Sequence, residues 1–300
     1  MTKTVLVAGA TGYLGQHIVK RYMELGWHVR ALVRNANTAQ RKNLIASEVF
    51  EGEATKPETL RGVMDGVDLV VSALGITRQR DGLTYRDVDF QANANLLDEA
   101  LAADAPQFAY IHILNADKMR GVAVVDAKQA FVDRLQAASV ASTIICPSGF
   151  FSDMADFFQM AKSGRVWLFG EGTLRLNPID GADLAVAIAD AVEQKRKWVD
   201  VGGPDILTQY ELAELAFDAL GNGPKITRLP DVLRRIALRL LPWVTPVRGP
   251  AQMFLTAMGM DMVGSPMGTR RLADYFDKLN PLGRGQTDKQ VRHIRDERVA

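Results

Sequence analysis

The stretch Val5-Leu6-Val7-Ala8-Gly9-Ala10-Thr11-Gly12-Tyr13-Leu14-Gly15 restricts the fold of this chain more than any other feature. An uncharged apolar run passes straight into glycines spaced at i, i+3 and i+6, and an amphipathic segment from Tyr13 to Leu25 follows. That order predicts a buried strand, a tight turn and a helix. Gly9 lets the chain leave the strand at a backbone angle closed to other residues. Gly12 leaves room for a diphosphate against the backbone, and Gly15 lets helix and strand approach. The free N–H groups and positive end of the helix then face an anion. Gly9, Thr11, Gly12, Tyr13, Leu14 and Gly15 are accordingly candidate nucleotide-binding residues. The alternative is a glycine-rich turn that binds nothing; the strand before it and the helix after it favour the nucleotide.

From Thr4 to about Pro147, short β-branched runs alternate with amphipathic stretches, the pattern of a parallel sheet covered on both faces. The runs are Thr4 to Ala8, His28 to Val33, Glu48 to Glu51, Asp68 to Ser72, Phe108 to Leu114 and Ser142 to Cys146. Six such runs suit an α/β, Rossmann-type doubly wound sheet, in which ligands bind beyond the carboxyl ends of the strands. We expect a sheet domain over residues 1–203, with 151–176 contributing to the substrate side. A smaller, mostly helical substrate region over 204–283 and a polar tail over 284–300 follow. Gly202-Gly203-Pro204 is the expected hinge.

Charge and cysteine content narrow the function. Lys plus Arg number 36 and Asp plus Glu 35, so no basic footprint for nucleic acid exists. The single cysteine, Cys146, excludes an internal disulfide, and none of the histidines has a partner at metal-ligand spacing. No uncharged apolar run approaches the ~20 residues of a membrane span, and the chain enters its first strand without a leader pattern. A cytoplasmic protein with a small-molecule partner is the expectation.

The ends of the runs carry the remaining candidates. Arg34 follows the second, with no acid beside it; a guanidinium there pairs with a 2′-phosphate, whereas an acid would hold a ribose hydroxyl, so NADP(H) is the expected cofactor. Arg30 lies inside the strand and is set aside. Glu53 and Ala54 after the third run are expected beside an adenine. Ala73, Leu74 and Gly75 after the fourth are expected along the middle of the cofactor, where small residues permit close approach. Thr77 to Tyr85 reads as a polar loop over the site. Lys128, on the helix after the fifth run, either holds ribose hydroxyls or is a solvated lysine. His112 reads as a hydrogen-bonded core histidine and Cys146 as a buried spacer. Pro147, Ser148 and Phe150 at the end of the sixth run complete the cofactor set, and Phe150 with Phe151 either walls an apolar pocket or plugs the core.

Beyond Phe151, Asp180 or Asp183 reads as a helix-start residue and Thr208 as a helix cap. Leu229 to Leu241 is amphipathic, its apolar residues at helical spacing and Arg234, Arg235 and Arg239 opposite. It reads as a helix packed on its own domain, with contact to a membrane surface as the alternative. Met253, Met258, Met260, Met262 and Met267 form either an adaptable binding wall or ordinary core.

With the glycine loop, Arg34, Lys128, Pro147 to Phe151 and Asn177-Pro178-Ile179-Asp180 in view, the chain resembles the NmrA-like branch of the atypical short-chain dehydrogenase/reductases, over about 240 residues. Within it, the chain is most similar to divinyl (proto)chlorophyllide vinyl reductases and photosystem assembly factors. These carry a Pro-Ile-x-x-x-Asp-Leu-Ala run, here Pro178, Ile179, Asp183, Leu184 and Ala185, and a Gly-Gly-Pro, here Gly202, Gly203 and Pro204. The resemblance implies Lys128 and Asn115 as catalytic positions, with a departure. The superfamily's Tyr-x-x-x-Lys would place Tyr at 124, where this chain has Val124, and Asn115 stands for the usual serine. Valine cannot donate a proton, so ordinary ketone reduction is not expected. Two functions are implied: NADPH-dependent reduction of an apolar, conjugated small molecule, or a non-catalytic NADPH-binding sensor, regulator or assembly factor acting through a protein partner.

Overall fold

In a computed structural model that describes residues 2–76, 82–244 and 249–280, the uncharged run forms strand β1, Thr4–Ala8. Its side chains alternate between two cores, Val5 and Val7 in one and Leu6 and Ala8 in the other. A strand buried on both faces needs helices on both sides. Each fully buried Val or Leu contributes about 1.5–3 kcal/mol of transfer free energy. The chain continues as α1 (Tyr13–Glu24), β2 (His28–Val33), α2 (Ala36–Arg41), β3 (Glu48–Glu51) and β4 (Leu69–Ser72). A π-helix over Arg86–Ala92 then runs directly into α3 (Asn93–Ala102), followed by β5 (Gln107–Ile111), α4 (Ala123–Ala137) and β6 (Ala141–Pro147). Next come α5 (Phe151–Lys162), β7 (Val166–Phe169), β8 (Arg175–Leu176), α6 (Gly181–Glu193) and β9 (Trp198–Gly202). The remainder is β10 (Leu207–Thr208), α7 (Gln209–Asp218), β11 (Ile226–Leu229), α8 (Asp231–Val244), α9 (Gly249–Ala257), β12 (Ser265–Pro266) and α10 (Leu272–Leu279).

The expected α/β doubly wound fold is present. Eight parallel strands form one sheet in the order β12-β9-β6-β5-β4-β1-β2-β3, reversing direction of winding between β1 and β4. Helices α1, α2 and α6 cover one face, and α3 and α4 the other. Helix α1 stops where a glycine permits it: Gly26 takes φ +76° just beyond Glu24-Leu25. Residues beyond 204 are mostly helical, as expected, but they also supply β12, which pairs with the end of β9 through Ser265↔Val201 and Pro266↔Gly202.

Several local expectations change. The fifth strand ends at Ile111 instead of Leu114, although His112 still donates its backbone N–H to Ile145 O at 2.7 Å. Gly202-Gly203 is a cross-linked junction, unlike the expected hinge. The Asn177 amide donates to Gly203 O at 3.1 Å and Gly264 O at 3.0 Å and accepts from Gly264 N at 2.9 Å. A side chain at Gly202 would overlap that amide. Asp180 is the helix-start residue of α6, accepting from Ala182 N, while Asp183 accepts from Thr269 and Arg270 N–H groups. Thr208 caps α7 reciprocally with Glu211.

Helix α8 departs from its expected orientation, although Arg235 and Arg239 are exposed as expected. Val232, Leu233, Ile236 and Leu240 face outward, whereas Arg234 is only 8% exposed. Asp231 compensates the buried guanidinium at 2.6 Å, Leu255 O accepts from it at 3.0 Å, and it rests against Gly259, where any side chain would collide with it. Met258 and Met262 are buried core residues. Of the expected loop from Thr77 to Tyr85, residues 77–81 lie outside the described residues, as does the tail over 284–300. Among the described residues no helix is long and apolar enough to cross a membrane.

Candidate functional site

Beyond the carboxyl ends of β1 to β4 lies a cavity of about 780 Å³, walled by Gly9, Thr11 and Gly12, by Arg34, Asn35 and Thr38, by Glu53, Ala54 and Thr55, and by Ala73, Leu74, Gly75 and Ile76. Leu83, Val88 and Ala92 complete its lining. The glycine loop explains its near end. Gly9 takes φ +79°, and a Cβ there would lie 2.9 Å from Ala73 O. Gly12 donates to Gly9 O at 2.9 Å, and a Cβ on Gly15 would overlap Gly9 O, so α1 starts hard against β1. The first intrahelical bond is Gln16 N–H to Gly12 O, and no side chain caps the helix. The N–H groups of Tyr13, Leu14 and Gly15 therefore precede the helical ladder directly after Gly12, which lines the cavity, a cradle that fits a diphosphate. The side chains of Tyr13 and Leu14 turn away: the Tyr13 hydroxyl accepts from Gly181 N at 3.0 Å, and Leu14 is core.

Arg34 stands on the cavity wall at the end of β2. Arg30 is committed elsewhere, to Glu48 at 2.8 Å and Val63 O. Glu53 and Ala54 share the Arg34 side of the cavity. Lys56 and Thr55 hold the Glu53 carboxyl below its ordinary range, with a smaller contribution from Arg34. Asn95 fixes the wall from behind by donating to Ala54 O at 2.9 Å. Lys42 reaches over the loop to donate to Thr11 O at 2.6 Å.

Beneath Gly75 lies a buried cluster that spacing did not reveal. Lys128 is 9% exposed, and its ammonium donates to Ile111 O at 3.1 Å, stands 3.3 Å from Asp89 Oδ1 and 3.4 Å from the Tyr110 hydroxyl. It is therefore no solvated helix lysine. Asp89 is fully buried and its Oδ2 accepts from Ile76 N at 3.2 Å. Burial lifts the Asp89 carboxyl above its ordinary range, with Lys128 opposing. Burial alone would depress Lys128, but Tyr110 and Asp89 outweigh it and hold the ammonium charged. Burial also pushes the Tyr110 phenol up to about 12. A Cβ on Gly75 would sit 2.8 Å from Asp89 Oδ1 and 3.2 Å from Lys128 Nζ, so only glycine separates the ion pair from the cavity. Asn93 braces the arrangement, accepting from Ser72 Oγ at 2.5 Å and donating to Val88 O and Asp89 O.

A signal for Asp89 and Asn93 was available. They continue, at i and i+4, the same helical stripe that Leu96, Leu97 and Ala100 make apolar, and polar groups on a buried stripe need a partner.

The other candidates lie off this cavity wall. Asn115, in the left-handed region at φ +56°, donates to Asp261 O at 2.9 Å and accepts from Lys118 at 3.1 Å, which ties residues 261–262 to the carboxyl edge. Pro147 O accepts from Leu114 N, and Ser148 Oγ donates to Asn177 O at 2.6 Å. Phe150 is half-buried, edge-on to Tyr13 with centroids 6.1 Å apart. Phe151 is buried beside Tyr275, a plug in the core. Val124 is buried at the position where the family pattern has tyrosine. His112 is buried and bonded to Gln129, and desolvation lowers it to about 4. Cys146 is buried, and desolvation pushes its thiol up.

Comparison with known proteins agrees with this geometry. A family described as NAD(P)H-binding matches residues 9–195. Photosystem II assembly factor Ycf39 of Synechocystis sp. is 29% identical over 235 residues, 77% of this chain and 72% of that protein. The chloroplastic divinyl chlorophyllide a 8-vinyl-reductase of Arabidopsis thaliana is 29% identical over 266 residues, 81% of this chain, and the match spans 64% of the reductase's length. An NADPH-dependent quinone oxidoreductase of Escherichia coli, crystallised with NADPH, superposes with a TM-score of 0.72 over 92% of this chain and 99% of that one. At 18% identity that likeness shows the fold alone. The resemblance to vinyl reductases and photosystem assembly factors expected from the sequence is borne out.

Proposed function

Because the chain belongs to the NAD(P)H-binding family, we propose that it is an NADPH-dependent reductase of an apolar, conjugated small molecule, of the NmrA-like, atypical short-chain dehydrogenase/reductase type. The observation that carries this reading is the buried Lys128 ammonium set behind Gly75 at the cavity wall. When bound, the reduced cofactor supplies a hydride. The N–H groups of Tyr13, Leu14 and Gly15 receive its diphosphate, Arg34 takes the 2′-phosphate by charge-assisted hydrogen bonds, and Glu53 and Ala54 flank the adenine. Lys128, its donors held by Ile111 O, Asp89 and Tyr110, contributes a fixed positive charge behind Gly75, strengthened by its low-dielectric surroundings. Val124 has no proton to give, and the Tyr110 phenol is sealed in the core. A conjugated acceptor suits such a site, since it spreads arriving charge and takes its proton from water. The Arabidopsis relative's name, a vinyl reductase, supports this class of acceptor.

A second reading has its own support: Val124 in place of the tyrosine, and an assembly factor among the relatives. In it the chain binds NADPH and a protein partner without chemistry. The test is NADPH oxidation by the purified protein against quinones, enones and vinyl-substituted tetrapyrroles, alongside Lys128→Ala. The reductase reading expects turnover that collapses in Lys128→Ala with a modest change in NADPH affinity. No turnover with any acceptor, and a partner affinity that tracks NADPH, establishes the second reading instead.

A further inference from the structure

Helix α8 presents an apolar stripe to solvent. Val232, Ile236 and Leu240 follow one another at i, i+4 and i+8, with Leu233 beside them, and these side chains are 55, 47, 52 and 43% exposed. Arg235 and Arg239, also i and i+4, run exposed along one flank of the stripe. The helix is held from the opposite side by the buried Arg234, through Leu255 O and the close approach of Gly259, so the outward stripe is not needed for its docking. A helix that sends an arginine inward and its branched aliphatics outward has its apolar face built for another medium.

Local charge says which medium. The whole chain is nearly balanced, yet residues 225–244 hold Lys225, Arg228, Arg234, Arg235 and Arg239 against the one acid Asp231, and no further acid occurs before Asp261. Asp231 pairs with both Arg234 and Arg235, and Arg228 pairs with Glu171, so the excess positive charge beside the stripe rests on Arg239 and the largely exposed Arg235. Cations flanking an exposed apolar stripe match the anionic face of a bilayer, where the aliphatics enter the headgroup boundary and the arginines meet lipid phosphates. We propose that α8 is an interfacial anchor that docks this protein on anionic membranes, parallel to the surface. The proposal does not depend on the cofactor reading.

The test is flotation of the 300-residue protein with vesicles of phosphatidylcholine alone and with vesicles containing about one-third phosphatidylglycerol, at low and high salt. Binding is expected on the anionic vesicles and should weaken with salt. Ile236→Glu/Leu240→Glu should lower the partition coefficient about tenfold or more, and Arg235→Glu/Arg239→Glu should remove the preference for anionic lipid. Both variants alter exposed positions, and an unchanged thermal melt confirms that they fold. Absence of binding to the anionic vesicles at low salt overturns the proposal. So does a concentration-dependent dimer dispersed by Ile236→Glu, which would assign the stripe to a second copy of the chain. Equal binding to both vesicle types overturns it as well.

Discussion

Replacing Lys128 by methionine keeps the length and apolar stem of the side chain and deletes its charge. Asp89 then has nothing opposite it. In the native protein Asp89 is fully buried, its Oδ1 faces the ammonium at 3.3 Å, and its Oδ2 has the Ile76 N–H. Breaking a buried pair from one side costs about 3–5 kcal/mol, against a total stability on the order of 5–15 kcal/mol. The loss depends on pH, and its direction follows from which state holds the proton. Burial raises the Asp89 carboxyl in the folded protein, and without Lys128 only the Ile76 N–H opposes that rise. A carboxyl that binds its proton more tightly when folded favours folding at low pH. Stability then declines by about 1.4 kcal/mol per pH unit as pH rises above the unfolded value near 3.9, until the folded group ionises. Lys128→Met should therefore be near wild type around pH 4–5 and deficient by about 3–5 kcal/mol at pH 8. Adding Asp89→Asn should recover most of the deficit at pH 8 and flatten the profile. Urea unfolding followed by circular dichroism at several pH values measures all four corners of the cycle. If Lys128→Met stays within about 1 kcal/mol of wild type at pH 8, or if Asp89→Asn gives no rescue, the pair is not the buried electrostatic unit described above.

Arg34→Ala should weaken NADPH binding by about tenfold or more while leaving NADH binding nearly unchanged, because a charge-assisted bond worth about 1.5–3 kcal/mol is lost only with the phosphate; equal wild-type affinities for the two cofactors, by titration calorimetry, would sink the assignment. Gly12→Val should fold, since Gly12 sits at φ −74° and its Cβ would meet only Gly9 O, at 3.1 Å, which a small shift relieves, yet lose dinucleotide binding through the side chain's occupation of the diphosphate cradle. Near-native affinity in a folded Gly12→Val protein would make the glycine loop merely structural. His112, lowered to about 4 by burial, stays neutral in the folded protein while the unfolded chain takes up a proton below about 6.5. Wild type should lose on the order of 2–3 kcal/mol as pH falls from about 6.5 to about 4, and a folded His112→Gln protein should lose less over that window.

How much of this was legible depended on how local the physics was. The strand, turn and helix around Gly9, Gly12 and Gly15 could be read directly, because one short segment supplies its own pattern and its own steric requirement. Arg34, Glu53 and Gly75 could be placed for a similar reason: a strand end in a doubly wound sheet is a known position in space, and the cavity gathers them. The setting of Lys128 was not legible. Its neighbours Asp89, Tyr110 and Ile111 come from other elements, and nothing near Lys128 in the sequence distinguishes a surface lysine from a buried one. Helix α8 failed differently. Periodicity defines a stripe but not the side that meets the protein, and the partners that accommodate a buried Arg234, Leu255 O and the space at Gly259, come from a later segment of the chain. The short β12 carries only Ser265-Pro266, too little pattern to announce a strand, and the latch at Asn177 joins segments far apart in the chain.

The π-helix over Arg86–Ala92 makes part of the site a matter of chain length. Its bonds span one residue more than those of an α-helix, so deleting a single position in this segment would let the turn tighten into the α-helix that follows. Each residue of an α-helix turns the chain by about 100°, and the carboxylate now facing Lys128 would swing out of line with Gly75. No side chain in the cluster would have changed its chemistry. A scan of point substitutions would therefore miss a dependence that a one-residue deletion and compensating insertion would expose.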